Sequence, residues 1–182
     1  KYYYDQYIMV ILVTGANGQL GNSIKRLVEK KNISNSFVFI TRDHLDLSKL
    51  NDIQKYFKNH KFDLIINCAA YTKVDKAELD ENQANLINHL AVKKIAEIAY
   101  SNNIKFIHIS TDFVFDGLKL QPYTEVDDTA PLNIYGKTKL AGEEAVLSIM
   151  RVNAMIIRTS WVYSEYGNNF VDTILKLIQK EV

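Results

Sequence analysis

At 182 residues, 47% hydrophobic and 24% charged, the chain is long enough for one domain with a sizeable core and has ordinary globular composition. Its 22 basic and 21 acidic side chains leave a formal net charge of +1 with no Lys/Arg block, so nothing in the charge pattern asks for nucleic acid or an anionic membrane as a partner. One cysteine (Cys68), four histidines without metal-ligand spacing and no apolar run near the ~20 residues that span a bilayer speak against an internal disulfide, a metal centre and a membrane span, and fit a reducing cytoplasm.

Residues 1–8 are tyrosine-rich and lack the apolar stretch of a signal peptide. They read as a tail upstream of Met9, the expected natural start, which leaves 9–182 as the folded domain. The apolar run 10–13 predicts a first strand, followed at once by Thr14-Gly15-Ala16-Asn17-Gly18-Gln19-Leu20-Gly21 and a helical stripe of Leu20, Ile24, Leu27 and Val28. Glycines between a strand and a helix let the backbone turn tightly against a pyrophosphate, which the helix N-terminus then meets with free N–H groups and a positive dipole end. The G-x-x-G-x-x-G spacing is a weak sign by itself; at the first strand-to-helix junction it predicts dinucleotide binding through Gly15, Asn17, Gly18, Gln19 and Leu20.

A second strand at 37–40 leads into Thr41-Arg42-Asp43. An acidic residue there would hold a ribose 2′-hydroxyl and an arginine a 2′-phosphate; Arg42 tips the reading towards NADP(H), with NAD(H) left open by Asp43. The alternative for these two is a solvated surface ion pair. Asp46 and Leu47 either meet the adenine edge or lead into the helix marked by Leu50, Ile53 and Phe57, with Ser48 as its N-cap. Strands are expected at 64–66, 106–109 and 155–157, and a helix on Ile87, Ala91, Ile95 and Ile98. Alternating strands and helices predict an α/β fold with a doubly wound parallel sheet of Rossmann type, its ligand edge at the carboxyl ends of the strands.

The fourth strand ends in Ser110-Thr111-Asp112, and a loop bracketed by the two prolines, Pro122 and Pro131, leads to Asn133, a candidate N-cap for the helix opening at Tyr135-Gly136-Lys137-Thr138-Lys139. Tyr135 and Lys139 are four apart and share a helix face. An ammonium one turn from the phenol is expected to lower its pKa and make it a general acid for an alkoxide formed by hydride arrival. Alone the pair reads as an amphipathic surface pair, and Thr111 as a common strand-end hydroxyl. Glycine turn, hydroxyl and Tyr-x-x-x-Lys in that order are jointly hard to obtain by chance.

These segments, together with Asn67-Cys68-Ala69-Ala70-Tyr71-Thr72, Val74-Asp75, Ala77-Glu78, the run from Ser110 to Gly117 and Arg158-Thr159-Ser160-Trp161-Val162-Tyr163, resemble the extended short-chain dehydrogenase/reductases, most closely their dTDP-4-dehydrorhamnose reductase branch. The resemblance implies a catalytic triad of Thr111, Tyr135 and Lys139, with Tyr135 and Lys139 also meeting the cofactor. It implies a cofactor groove lined by Ala69, Ala70 and Tyr71, and support of the lysine by Asn88. It puts Val74, Thr111, Asp112, Phe113 and Trp161 near a nucleotide-sugar substrate, Trp161 having core as its alternative. The implied reaction is hydride transfer from NAD(P)H to the 4-keto carbon of dTDP-4-dehydro-L-rhamnose. Alternatives are another nucleotide-sugar epimerase or reductase and a non-catalytic NAD(P)-binding regulatory subunit; a homodimer is compatible with all of them. Dehydration is disfavoured because Phe113 stands where dehydratases of the superfamily carry Glu. Two further departures are Phe113 where relatives often have tyrosine and Lys73 beside the groove. A C-terminal substrate lobe is expected to be largely absent from 9–182. Cys68 reads as a small inert residue, since nothing nearby would lower its pKa.

Overall fold

The computed structural model describes residues 7–179. Residues 1–6 of the expected tail and the last three positions lie outside them; Tyr7 donates its hydroxyl to Asp63 Oδ1. Five parallel strands, β1 (Val10–Thr14), β2 (Ser36–Phe39), β3 (Leu64–Asn67), β4 (Lys105–Thr111) and β5 (Ala154–Thr159), form one sheet in the order β2-β1-β3-β4-β5. The order reverses between β1 and β3, so their carboxyl ends diverge into a crevice. In register, Thr14 pairs with Asn67, Asn67 with His108, and Thr111 with Thr159.

The helices are α1 (Gln19–Lys31), α2 (Leu50–Asn59), α3 (Val74–Ala77), α4 (Glu81–Asn85), α5 (Ala91–Ser101), α6 (Ile134–Met150) and α7 (Phe170–Ile178); a π-helical turn, Leu86–Leu90, joins α4 to α5. The core lies where α2, α5 and α6 meet the sheet: Leu12, Ile53, Ile65, Ile95, Phe106, Val146 and Met150 are buried there. Burial on both faces, which such apolar runs suit, fails at the margin. Met155 and Ile157 of edge strand β5 are 58% and 39% exposed, because β5 has a paired neighbour on one side only among the described residues. Leu27, counted in the α1 stripe, is likewise exposed.

Asn133 caps α6 as expected, accepting from Gly136 N at 2.7 Å. Ser48 does not cap α2. Lys49 occupies the cap position, and the Ser48 hydroxyl instead donates to Asp46 Oδ1 at 2.7 Å. Asp46 thereby closes a local turn, taking the Ser48 N–H as well at 3.0 Å, and α2 starts after Lys49.

Candidate active site

The glycine turn fills the floor of the crevice. Gly15 has φ +64°, and a Cβ there would lie 2.8 Å from Ala69 N, so only glycine lets β1 turn this close to the segment after β3. Gly18 N donates to Gly15 O at 2.9 Å, and Ala16 N ties the turn to Ile40 O at 3.0 Å. At Gly21 a Cβ would come within 2.4 Å of Gly15 O, which locks the first turn of α1 against the loop. Gly18 serves as N-cap with no side-chain bond, and no acidic residue lies in the first turn of α1. Both features suit an anion at this helix end. Asn17 and Gly18 are exposed, Gln19 and Leu20 half-buried. Gln19 Oε1 accepts from Ser164 Oγ at 3.2 Å and Asn169 Nδ2 at 3.1 Å, so the segment between β5 and α7 is fastened beside the turn.

At the end of β2, Arg42 is exposed and pairs with Asp46 (Nη2 to Oδ2, 3.2 Å), not with the adjacent Asp43. Burial pushes the Asp46 carboxyl up, but the bonds from Ser48 and Arg42 outweigh it and hold the acid below its ordinary value. Leu47 is 7% exposed and its side chain packs in the core. A shallow cavity of about 550 Å³ runs past Arg42, Asp46, Lys49 and Lys55.

Across the crevice, Ala69, Ala70 and Tyr71 continue from β3, all half-buried. Asn88, fully buried in the π-helical turn, accepts from Tyr71 N (2.9 Å) and donates to Tyr71 O (3.1 Å) and Thr138 Oγ1 (3.2 Å). The expected support of Lys139 by Asn88 is therefore indirect: the side chain clamps the groove wall to α6 one residue before the lysine.

Thr111, Tyr135 and Lys139 converge from the end of β4 and the first turns of α6, and all three are buried. Thr111 Oγ1 donates to Asp112 Oδ1 at 3.1 Å and accepts from Phe113 N at 3.2 Å. Tyr135 packs with Ala77 and Ala84, flanked by Tyr71 and Val74, and meets the Phe113 ring edge-on with centroids 5.5 Å apart. At Gly136 a Cβ would fall 2.2 Å from Phe113 O, so the missing side chain lets α6 approach the strand end.

Lys139 corrects one expectation. Its Nζ donates to Ile109 O at 2.7 Å and lies 3.4 Å from His108 Nε2, beneath the sheet edge. Burial lowers its pKa to about 8, against the raising influence of Glu143 and Cys68. With the ammonium turned inward, burial dominates the phenol and raises the Tyr135 pKa; the Thr111 hydroxyl offsets part of this and Asp112 adds to it. Tyr135 is a protonated phenol, not a phenolate favoured by its neighbour.

Asp112 Oδ2 accepts from Ser160. Trp161 is 76% exposed with φ +51° and touches Phe170 edge-on, which removes its core alternative. Burial pushes the Cys68 thiol up to about 12, in keeping with an inert residue. Among the described residues no group of three His, Cys, Asp or Glu side chains could hold a metal ion, and no helix is long and apolar enough to cross a membrane. Sequence reasoning missed Asn67, His108, Glu143 and Arg158. The last two form a two-pronged pair, Arg158 Nη2 reaching Glu143 Oε2 at 2.7 Å and Nε reaching Oε1 at 3.1 Å. A histidine inside an apolar strand was the one available signal.

The reductase of dTDP-4-keto-6-deoxy-D-glucose from Streptomyces niveus is 38% identical over 168 residues, covering 92% of this chain and 58% of that protein. The dTDP-4-dehydrorhamnose reductase of Escherichia coli is 40% identical over 173 residues, covering 94% and 58%. Among solved structures, the dTDP-4-dehydrorhamnose reductase of Clostridium acetobutylicum superposes with a TM-score of 0.88 at 41% identity, covering 94% of this chain and 60% of that one. That of Bacillus anthracis, in complex with NADP, gives 0.89 at 36%, covering 96% and 61%. The chain thus spans less than two thirds of the length of these relatives. The family model described as RmlD substrate binding domain matches residues 9–182, and with the parallel sheet, the glycine turn and the Tyr-x-x-x-Lys helix in place, the chain belongs to that family.

Proposed function

We propose that this chain carries the cofactor-binding and catalytic part of an NADPH-dependent reductase that converts the 4-keto group of dTDP-4-dehydro-L-rhamnose to the alcohol, in the cytoplasm. The observation that carries the reading is the burial of Thr111, Tyr135 and Lys139 together at the carboxyl edge, beside the Gly15–Gly18 turn. The residues fit a dinucleotide. Glycine at 15 lets the turn close against Ala69, and the α1 N-terminus carries no competing acid. The hydroxyl of Ser110, buried at the same strand end, has no partner among the described residues. Gly15, Asn17, Gly18, Gln19 and Leu20 would hold the pyrophosphate, Arg42 the 2′-phosphate, and Ala69, Ala70 and Tyr71 the groove wall, with Asp46 orienting Arg42. The preference for NADPH is supported by Arg42 and by the NADP complex of the Bacillus anthracis relative.

When bound, NADPH supplies the hydride. Thr111 holds the carbonyl oxygen by a hydrogen bond, and the Tyr135 phenol gives its proton to that oxygen as it gains negative charge. The raised Tyr135 pKa keeps that proton in place at neutral pH. Lys139, charged at neutral pH, would touch the nicotinamide ribose of the bound cofactor. Val74, Asp112, Phe113 and Trp161 flank the substrate side. A different 4-keto sugar is the second reading, favoured by the name of the Streptomyces niveus relative.

The test is NADPH oxidation by the full-length protein with each keto sugar, alongside Tyr135→Phe. Turnover of dTDP-4-dehydrorhamnose, lost in Tyr135→Phe, is expected. A full-length protein that binds NADPH and reduces neither sugar refutes the proposal.

A further inference from the structure

A row of polar side chains crosses the sheet below the active site. Thr14, Asn67 and His108 occupy paired positions on β1, β3 and β4 and are 2%, 0% and 0% exposed. The bonds run one way. Ala69 N donates to Thr14 Oγ1 at 3.2 Å, so the hydroxyl's single proton goes to Asn67 Oδ1, 2.6 Å away. Asn67 therefore turns its amide NH₂ towards His108 Nδ1, at 3.0 Å. A neutral imidazole that accepts at Nδ1 carries its proton on Nε2, and Nε2 is the atom 3.4 Å from Lys139 Nζ. Burial and the nearby lysine hold His108 well below its usual pKa, which keeps the ring neutral. An N–H facing an ammonium is a clash of donors; facing a neutral amine it is a hydrogen bond to the nitrogen lone pair, while an amine proton still reaches Ile109 O.

We infer that His108 is a positioning residue for Lys139: with its tautomer fixed by the Thr14–Asn67 row, it presents Nε2–H to the lysine and weakens the hold of that nitrogen on its third proton. The inference rests on the reductase reading for its use in catalysis, although the hydrogen-bond order stands without it. The other groups that face Lys139 are Cys68 from the segment after β3, Glu143 on α6, and Arg158 of β5 through Glu143. None of them donates an N–H to Nζ. Alternative orders are costly. Turning the Asn67 amide over would place its NH₂ on Thr14 Oγ1 and strand the threonine proton in the core.

The experiment is side-chain NMR on the 182-residue chain, with His108 nitrogen shifts read from neutral to alkaline pH and the Lys139 titration followed at Cε. The wild-type ring is expected as the Nε2–H tautomer. In Asn67→Asp the carboxylate accepts from His108 on Nδ1, so the tautomer reverses and the Lys139 midpoint rises by about one pH unit, tenfold in proton affinity. In His108→Leu the donor is gone and the midpoint rises as well, with no charge added. An Nδ1–H or doubly protonated ring in the wild type overturns the inference and requires no variant to fold. So does a Lys139 midpoint unmoved in either variant. In the full-length enzyme the alkaline limb of the turnover profile should move with the Lys139 midpoint; a limb that stays put while the midpoint moves overturns the catalytic use. The NMR result decides the hydrogen-bond order even where no keto sugar is reduced, so failure of the reductase reading and failure of this one are distinguishable.

Discussion

Replacing Lys139 by methionine should stabilise the cofactor-free chain at neutral pH while removing its chemistry. The lysine is 2% exposed and its pKa falls from 10.5 to about 8, chiefly through burial. That fall corresponds to roughly 3 kcal/mol of penalty on the charged form in the folded state. Below pH 8 the amine is charged whether folded or unfolded, and the folded chain bears the whole penalty. Between 8 and 10.5 the unfolded chain binds more protons than the folded one, so wild-type stability rises with pH; above 10.5 the penalty is gone. Methionine has similar length and no charge, but it leaves Ile109 O without its donor, a loss of about 1–3 kcal/mol. At pH 7 the variant should be more stable by about 1 kcal/mol, the balance of these two effects.

The pH dependence of the difference is the cleaner readout, because the lost hydrogen bond does not titrate and all other groups cancel between the two proteins. From pH 7 to pH 10 the advantage of Lys139→Met should shrink by roughly 2–3 kcal/mol and change sign on the way. Urea unfolding of both proteins at pH 7, 8, 9 and 10 measures it. A difference that stays constant within about 0.5 kcal/mol refutes the burial argument, since it would mean that Lys139 titrates alike folded and unfolded.

Three further outcomes follow from the same geometry. In the full-length protein, Tyr135→Phe should lower kcat by about 10²–10⁴-fold with little change in NADPH affinity, because the hydroxyl moves a proton and the ring does the packing; steady-state kinetics and a binding titration check both halves. Gly142→Ala should destabilise by roughly 1–3 kcal/mol despite the better helix propensity of alanine, since its Cβ would lie 2.2 Å from Asn88 O; thermal and urea unfolding measure it. Arg42→Ala should weaken NADPH by about tenfold or more and leave NADH nearly unchanged, the loss of one charge-assisted bond, as read by fluorescence titration with each cofactor.

The parts of this fold that were legible in the sequence are those whose signal is local. Apolar runs gave all five strands within a residue or two, because strands of a parallel sheet are recognised by composition alone. Asn133 was legible as a cap because nothing nearby competes for its side chain. Ser48 was not, because Asp46 two residues earlier draws it into a local turn and the helix starts after Lys49. Leu47 and Leu27 show the same limit from the other side: a leucine's position in a pattern does not say whether a neighbour covers it, and here one is core and the other exposed. Trp161 could be read either way until the segment after β5 was seen to hold it out from the core at positive φ.

The site was legible only in its outward half, and α6 explains why. Residues 135, 139 and 143 recur at intervals of four and therefore share a face, yet a face bearing Tyr, Lys and Glu reads as solvated. It is buried because two glycines on the same helix let α6 pack on backbone: Gly136 against Phe113 O and Gly142 against Asn88 O, each too close for a Cβ. Once the helix is drawn in that far, Lys139 and Glu143 lose water and must find partners across the sheet, and the chain supplies them from distant strands, Ile109 O and His108 from β4 and Arg158 from β5. Farther along the same face, Val146 and Met150 bury as ordinary core. The helix is thus polar inside at its amino end and apolar inside at its carboxyl end. No periodicity distinguishes those two kinds of burial; the glycines that force them do, because each marks where backbone meets backbone and a side chain beside it must be desolvated.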